Sequence, residues 1–305
     1  MQTFDYDYII IGSGPAGLAS AQYASRGGLK TLVLESMGYG GQVMQISELE
    51  NYPGLFPSIN GADYILTMKN QAEAFGATII NQAVTFIDKL NNVFVIKTRS
   101  GEYKSKCVCL ATGAIHKNLN VPGEKEFTGR GVSYCAVCDG PFFKNKRIVV
   151  VGGGDSACSE ASYLTSISND VSIIHRRDSF RAQKAVVDNM IEKGVKPIFD
   201  CVVKKINGSA KVSSVTLENV KTGQVFEKEC DAVFIFTGME AQTSLVQMLS
   251  KDENGYIITN EKMETGIPGL YVAGDVRSKS FRQIVTAVSD GAIAANSAKE
   301  FINHK

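Results

Sequence analysis

Short apolar runs that end in glycine-rich turns are the clearest pattern along the chain. The run from Tyr6 to Ile11 leads into the turn Gly12 to Gly17, which has the spacing G-x-G-x-x-G. The run from Ile148 to Val151 leads into the turn Gly152 to Ala157, with alanine in the last position. Each segment continues into helix-compatible sequence, so each predicts a strand, a tight turn and a helix in that order.

The same order of elements occurs twice, which predicts an internal duplication. The two turns begin at Gly12 and Gly152, 140 residues apart, and strand-like runs follow them at 31–35 and 171–177. Later in each half a strand closes in Thr-Gly, at Gly113 and at Gly238. This pattern predicts an α/β protein with two Rossmann-like dinucleotide-binding domains.

The C-terminal segment has no place in a completed second copy. It contains a strand-like stretch ending at Asp275 and a helix-like stretch from Ile284 to Phe301. We therefore expect this segment to return to the first domain. The expected domains are residues 1–116 with 245–305, and an inserted domain of residues 117–244.

Composition and charge fit a folded chain and exclude several classes of protein. A length of 305 residues is enough for about two domains of roughly 150 residues. Hydrophobic residues make up 44% and charged residues 21%, values that exclude disordered and fibrous proteins. Lys and Arg number 32 and Asp and Glu 31, so no overall field attracts nucleic acid, and we expect no nucleic-acid partner.

The chain carries no obvious targeting signal. Its apolar runs fall short of the roughly 18 to 20 residues that a membrane span needs. The first seven residues carry acidic side chains where a signal peptide would be positive, and the seven cysteines are unevenly spaced. We expect no membrane partner and a cytoplasmic, reducing location, where a close cysteine pair would be catalytic.

The two turns have the chemistry of pyrophosphate binding. The first glycine of each, Gly12 or Gly152, allows the tight bend, and the second, Gly14 or Gly154, lets the backbone approach a phosphate. The third position must be small for helix–strand packing, and the helix N-terminus stabilises the phosphate charge. The sequence thus predicts two nucleotide sites.

The residues at the two ribose positions differ. Glu35 can accept hydrogen bonds from ribose hydroxyls, which suits FAD or NAD at the first site. The second site has Arg176, Arg177 and Arg181, which can pair with a 2′-phosphate and so favour NADP(H). The alternative is that Glu35 and these arginines form a solvated cluster of surface ion pairs.

A close cysteine pair, Cys135 and Cys138, lies between the two turns. Two intervening residues on a first helical turn allow a disulfide that opens and closes, and a helix N-terminus lowers a thiol pKa. Such a pair completes a relay from hydride donor to flavin to disulfide. Two alternatives stay open, a structural zinc site and an inert buried pair. A zinc site would also need the other close pair, Cys107 and Cys109, and it is disfavoured because their side chains point to opposite faces of a strand.

With these motifs together, the chain resembles the bacterial-type, low-molecular-weight thioredoxin reductases, a family of FAD- and NADPH-dependent disulfide oxidoreductases. The matching segments cover essentially the whole chain. They are Gly12 to Gly17, Gly40 to Gln42, Glu50 to Gly54, Ala111 to Gly113, Cys135 to Gly140, Gly152 to Ala157, His175 to Arg181, Ala273 to Asp275, and Arg282 with Gln283.

The resemblance implies FAD in the outer domain, NADPH in the inserted domain, a homodimer, and a set of site residues. In the outer domain the cofactor-binding residues are expected to be Gly12, Gly14, Pro15, Ala16, Gly17, Glu35, Gly41, Gln42, Asn51, Thr112, Gly113, Gly274, Asp275, Arg282, Gln283 and Ile284. In the inserted domain they are Gly152, Gly154, Asp155, Ser156, Ala157, His175, Arg176, Arg177 and Arg181.

The resemblance also implies the roles of three residues in the inserted domain. Cys138 is expected to face the flavin, Cys135 to be its disulfide partner, and Asp139 to protonate the leaving thiolate. A helix cap or a turn residue is the alternative for Asp139. One segment departs from the family pattern, since Ala241 and Gln242 stand where the family usually has Pro and Asn.

The function expected from the resemblance is electron transfer from NADPH through FAD and the cysteine pair to thioredoxin. One alternative keeps this chemistry with another small dithiol protein as the acceptor. The other alternative, of a different class, is a non-catalytic nucleotide-binding redox sensor.

Overall fold

A computed structural model describes residues 4–36, 38–46, 49 and 51–304. The chain divides into two compact units. Unit 1 comprises Met1–Ile115 and Glu240–Lys305, and unit 2 comprises His116–Met239. The first unit is therefore discontinuous in sequence, with the second inserted into it.

Unit 1 is built on a seven-stranded mixed sheet. Its strands are β1 (Tyr6–Ile11), β2 (Thr31–Glu35), β3 (Thr78–Asn81), β4 (Val84–Leu90), β5 (Val93–Thr98), β6 (Glu102–Leu110) and, from the C-terminal part of the chain, β17 (Leu270–Val272). Its helices are α1 (Pro15–Arg26), α2 (Gly61–Ala74) and α7 (Ile284–Asn303), with 3-10 turns at Gly41–Gln45 and Ser244–Val246.

The long strand β6 organises this sheet. The order β3-β2-β1-β6 is parallel, and β5 and β4 continue it in antiparallel fashion. The first half of β6 pairs with β5, with Ser105 opposite Phe94, and its second half pairs with β17, with Val108 opposite Leu270. The C-terminal segment thus adds a strand to the sheet that leads into the first glycine turn.

Helices α1 and α7 pack closely because small residues face each other. A Cβ atom on Gly291 would lie 2.1 Å from the carbonyl oxygen of Ala16, so only glycine fits there. The buried Tyr8 hydroxyl and the Ser20 hydroxyl, 3.0 Å apart, form a hydrogen bond between β1 and α1. This packing fixes the start of α1, and with it the first glycine turn.

Unit 2 contains a five-stranded parallel sheet and a three-stranded antiparallel sheet. The parallel sheet has the order β11 (Lys196–Ile198), β10 (Val171–Ile174), β9 (Ile148–Gly152), β15 (Ala232–Phe236), β8 (Val132–Ser133). The antiparallel sheet has the order β12 (Cys201–Gly208), β13 (Val212–Asn219), β14 (Val225–Glu229). The helices are α3 (Glu124–Phe127), α4 (Ala136–Asp139), α5 (Asp155–Leu164) and α6 (Lys184–Glu192), with a 3-10 turn at Gly140–Phe143.

Alternation along the strands divides the core of unit 2 into two layers. Val149 and Val151 of β9 pack towards the antiparallel sheet, whereas Ile148 and Val150 pack towards α5 and α6. Strand β10 ends at Ile174, so residues 175–177, which the sequence analysis includes in the strand, lie beyond it. They follow the carboxyl end of β10, the edge of a parallel sheet where ligands bind.

The chain crosses between the units at two short strands, β7 (Ala114–His116) and β16 (Met239–Ala241), which form a two-stranded sheet. One mixed and one parallel sheet, each with helices, confirm the predicted α/β class. Among the described residues, no helix combines the length and the apolar composition that crossing a membrane requires.

Candidate functional site

The first glycine turn is shaped by close backbone contacts. Gly12 has a φ of +102°, and a Cβ atom there would lie 2.4 Å from the carbonyl oxygen of Ala111. A Cβ atom on Gly17 would lie 1.9 Å from the carbonyl oxygen of Gly12. By contrast, a Cβ atom on Gly14 would meet nothing within 4 Å. Gly12 and Gly17 thus serve the fold, and Gly14 faces the open space that a pyrophosphate needs.

The start of α1 is suited to an anion. Gly14 is its N-cap and makes no side-chain capping bond, Pro15 occupies the first turn, and no acidic residue lies in that turn. The backbone N–H groups of Ala16 and Gly17 are first-turn amides, which lack partners within the helix. Together with the helix dipole they favour negative charge at this point.

Glu35 lies at the end of β2, beside the first turn. Its Oε2 accepts hydrogen bonds from the N–H (2.8 Å) and the Oγ (2.9 Å) of Ser13, and its Oε1 accepts one from the N–H of Ser36 at 2.6 Å. The carboxylate is therefore held against the glycine turn, at the strand end where the sequence places the contact with a ribose. Ser13 was not among the predicted site residues, although its place inside the motif is a usable signal.

Three predicted residues of unit 1 form hydrogen bonds with residues distant in its sequence, and one of these bonds joins two predicted residues, Asn51 and Gln283. The Gln42 side chain donates to the carbonyl oxygen of Ala114, and the Asn51 side chain donates to Gln283 Oε1 at 3.2 Å. The Thr112 hydroxyl donates to the carbonyl oxygen of Gln242 at 2.6 Å.

Asp275 follows β17 and lies beside a group of buried charges. Its Oδ1 atom is buried, makes no hydrogen bond with a described residue and has Lys279 Nζ at 3.3 Å. Lys279 Nζ is also 3.0 Å from Asp290, which accepts from Arg277 at 2.8 Å and from the N–H of Gly274 at 3.1 Å. Asp290, Arg277 and Lys279 were missed by the sequence prediction, and they hold the loop that carries Asp275.

Arg282 and Gln283 have partners within unit 1. The Arg282 guanidinium stacks 3.7 Å from the ring centre of Tyr256. Gln283 is the N-cap of α7 and forms a reciprocal capping box with Thr286. Helix α7 begins at Ile284, the last of the predicted flavin neighbours.

The second glycine turn repeats the first in its geometry. A Cβ atom on Gly152 would lie 2.5 Å from both Ala157 Cβ and the Phe236 carbonyl oxygen, whereas one on Gly154 would meet nothing within 4 Å. Helix α5 begins at Asp155 without a side-chain cap on Gly154. The Asp155 carboxylate accepts from the N–H of Gln183 at 2.7 Å, and Ser156 is exposed.

The arginine loop, residues 175–181, lies beside this second turn. The N–H of Arg181 donates to the carbonyl oxygen of Gly153 at 2.8 Å. Arg176, Arg177 and Arg181 are exposed, and no ion pair between described residues includes any of them. Free guanidinium groups at the edge of a parallel sheet are suited to phosphate.

His175 differs from the arginines that follow it. It is 6% exposed, its ring stacks on Phe180 at 5.5 Å, and burial lowers its pKa. A Cβ atom on Gly153 would lie 2.1 Å from His175 Nδ1, so the imidazole packs directly against the backbone of the glycine turn.

Cys135 is disulfide-bonded, and the five other cysteines whose side chains the structure describes are buried and form no disulfide. The side chain of Cys138 lies outside the described residues. Burial raises the pKa of the Cys109 thiol to about 12 and that of the Cys158 thiol to about 11. Within the described residues, no group of three or more His, Cys, Asp or Glu could hold a metal ion.

Hydrogen bonds hold the backbone on both sides of Cys135. The Ser133 Oγ accepts from the Cys135 N–H at 3.0 Å and donates to the Cys135 carbonyl oxygen at 3.2 Å. The Tyr134 hydroxyl donates at 2.7 Å to Glu124, which is 4% exposed. The Asp139 carboxylate makes no capping bond to the 3-10 turn that follows it. Ser133, Tyr134 and Glu124 were not predicted as site residues.

Comparisons with known proteins agree with this geometry. Residues 6–291 match the family described as pyridine nucleotide-disulphide oxidoreductase. A thioredoxin reductase of Treponema pallidum (strain Nichols) is 51% identical over 300 residues, which cover 98% of each chain. One from Bacillus subtilis (strain 168) is 46% identical, over 97% of this chain and 95% of that protein. The crystal structure of Lactococcus lactis thioredoxin reductase (FR conformation) superposes with a TM-score of 0.94 at 45% identity, over 99% of this chain and 100% of that one.

Proposed function

Because the chain belongs to the pyridine nucleotide-disulphide oxidoreductase family, we propose that it moves electrons from NADPH to the disulfide of thioredoxin, with Cys135 and Cys138 as its own redox pair. The class of enzyme is thioredoxin-disulfide reductase, since proteins of that name are 44% to 51% identical over nearly the whole chain. The observation that carries the proposal is the disulfide at Cys135, in the unit that holds the second glycine turn.

The residues of unit 1 fit FAD. Gly14 faces open space, the first-turn amides of α1 suit the pyrophosphate, and Glu35 lies at the end of β2 beside this turn, where a carboxylate meets the adenosine ribose. The buried Oδ1 of Asp275, which has no hydrogen bond among the described residues, provides an acceptor. When bound, FAD supplies the chemistry that converts a hydride from NADPH into an electron pair for a disulfide.

The residues of unit 2 fit NADPH. Gly154 leaves the second turn open, and the amides of α5 suit its pyrophosphate. Arg176, Arg177 and Arg181 carry three positive charges without ion-pair partners among the described residues, and the dianionic 2′-phosphate supplies one. NAD, with a neutral 2′-hydroxyl, leaves these charges unmatched.

The cysteine pair carries the electrons outward. Breaking the Cys135–Cys138 bond takes up two electrons, and one proton from Asp139 converts the leaving thiolate to a thiol, so the step leaves one thiol and one thiolate. One thiolate then attacks a sulfur of the thioredoxin disulfide and forms a mixed disulfide. The second thiol displaces reduced thioredoxin and restores the bond. Ser133 and the Tyr134–Glu124 pair position Cys135 for both steps.

The acceptor, the assembly and the location belong to the same proposal. The relatives are named thioredoxin reductases, and we propose that thioredoxin is also the acceptor for this chain. We further propose that the protein forms a homodimer in the cytoplasm. Unit 1 exposes apolar side chains on its helices, among them Tyr23 of α1 and Leu66 of α2, which are 50% and 43% exposed.

The experiment measures NADPH oxidation by the purified flavoprotein with a disulfide dye, with the organism's own thioredoxin, and with both. We expect turnover that depends on thioredoxin. Cys138→Ser should still bind FAD and allow NADPH to reduce it, yet reduce no thioredoxin; Cys158→Ser, which changes a buried free thiol, is the control. Thioredoxin reduction by Cys138→Ser at the wild-type rate would refute the role of the pair. A flavoprotein active only with another dithiol protein would change the acceptor, and one that oxidises no NADPH would be a sensor.

A further inference from the structure

Two acidic residues, Asp178 and Asp200, are neighbours of Arg177 in the arginine loop. Asp178 directly follows Arg177 in the sequence, and the N–H of Asp200 donates to the carbonyl oxygen of Arg177 at 3.2 Å. A free carboxylate here would pair with the guanidinium groups and compete with any phosphate for them. It would also repel the phosphate directly.

One lysine from elsewhere in unit 2 engages both carboxylates. Lys221 Nζ lies 3.1 Å from Asp178 Oδ2 and 3.0 Å from Asp200 Oδ1. Lys221 sits in the turn between β13 and β14, where the N–H of Val220 donates to the carbonyl oxygen of Asp200 at 2.7 Å. The ammonium group also holds the pKa of Asp178 below its usual range.

This arrangement explains why, among the described residues, neither carboxylate forms an ion pair with the arginines of the loop. The carboxylates are already engaged by a cation that is 43 residues from Asp178 in sequence. Because a backbone hydrogen bond joins the β13–β14 turn to Asp200, this contact positions the ammonium group of Lys221 beside the two carboxylates.

We propose that Lys221 determines the preference for the phosphorylated dinucleotide, by holding Asp178 and Asp200 away from the guanidinium groups that read the 2′-phosphate. Lys221 is a positioning residue: it acts on the phosphate through the carboxylates and makes no contact with it. The proposal rests on the proposed use of NADPH.

The test uses the purified holoenzyme and two probes, 2′,5′-ADP and 5′-AMP, whose dissociation constants are measured by calorimetry at low and high salt. Lys221→Gln frees both carboxylates. Taking one unit charge and a doubly charged phosphate at roughly 10 Å in water, we expect 2′,5′-ADP to bind about fourfold more weakly. The affinity for 5′-AMP should not change, and the loss should shrink at high salt.

Lys204→Gln is the matched control. Lys204 lies on β12 of the same three-stranded sheet, is 54% exposed against 57% for Lys221, and pairs with a single carboxylate, Glu218, at 2.9 Å. Lys204→Gln removes the same charge from the same sheet, and we expect this substitution to leave the ratio of the two dissociation constants unchanged. Lys221→Arg should keep most of the wild-type preference.

The double variant Lys221→Gln, Asp178→Asn separates the proposed route from direct contact. If Lys221 acts through the carboxylates, removing the Asp178 charge should restore most of the affinity for 2′,5′-ADP. No recovery would mean that Lys221 touches the phosphate itself, and an unchanged ratio in Lys221→Gln would remove its role altogether; either result overturns the inference. A wild-type enzyme that binds the two probes equally would instead refute the proposed choice of NADPH.

Discussion

Adding one methyl group at Gly153 should destabilise unit 2 through a single contact. The Cβ atom of Gly153→Ala would lie 2.1 Å from Nδ1 and 2.3 Å from Cε1 of His175. The imidazole is 6% exposed and stacked on Phe180 at 5.5 Å, so it has little room to retreat. The backbone of Gly153 is outside the left-handed region, so alanine adds no backbone strain. Overpacking of this kind costs about 1–3 kcal/mol.

Gly154→Ala is the matched control in the next position. A Cβ atom there meets nothing within 4 Å, and the backbone, with φ −100° and ψ 179°, is open to alanine. We expect the free energy of unfolding to stay within about 0.5 kcal/mol of wild type. The methyl group would still occupy the space assigned to the pyrophosphate, so this variant should bind 2′,5′-ADP more weakly.

The assay is thermal or denaturant unfolding of both variants, each with and without His175→Ala. At roughly 2–4 °C per kcal/mol, Gly153→Ala should lower the midpoint of the unit 2 transition by several degrees. Because His175→Ala removes the clashing ring, the two substitutions together should destabilise by less than the sum of their separate effects. Wild-type stability in Gly153→Ala, or strict additivity with His175→Ala, would show that the imidazole does not support the turn.

Two further predictions concern thiols and protons. Iodoacetamide at neutral pH should label two thiols per chain after reduction by NADPH and almost none before. The reason is that burial raises the pKa of the Cys109 thiol to about 12 and that of the Cys158 thiol to about 11. Labelling of more than two thiols in the folded protein would contradict the assignment of the pair. Burial also lowers the pKa of His116 in the folded state, so below about pH 6.5 the unfolded chain binds the proton more readily. The free energy of unfolding should therefore fall as the pH is lowered. His116→Gln should flatten this slope, and an unchanged slope would assign the pH dependence to other groups.

The parts of the fold and site that the sequence predicts are those encoded by local patterns. The strand–turn–helix units at Gly12 and Gly152 appear as predicted, because each depends on residues within a short segment. The α/β class follows from their repetition. Glu35 lies at the end of its strand, beside the first turn, for the same reason.

The parts that the sequence does not predict depend on contacts between distant segments. Nothing near Asp178 indicates that Lys221 will reach it, because a β-hairpin turn brings the lysine there. Asp290 was assigned to no site, because its contacts with Arg277 and Lys279 require α7 to pack beside the loop after β17. His175 was predicted together with the arginines, but it is buried. It directly follows the end of β10, and its imidazole packs against Gly153.

The discontinuity of unit 1 has a consequence for synthesis on the ribosome. Its last part, Glu240–Lys305, is 66 residues long and takes roughly 3–13 s to make at 5–20 residues per second. Throughout that time unit 2 is complete in sequence, while β6 lacks its partner β17 and α1 lacks the helix α7 that covers it. The unit that begins second is therefore the first that can finish folding. The nascent chain meanwhile exposes a strand edge and an uncovered helix face, so chaperones have most to protect near the end of translation.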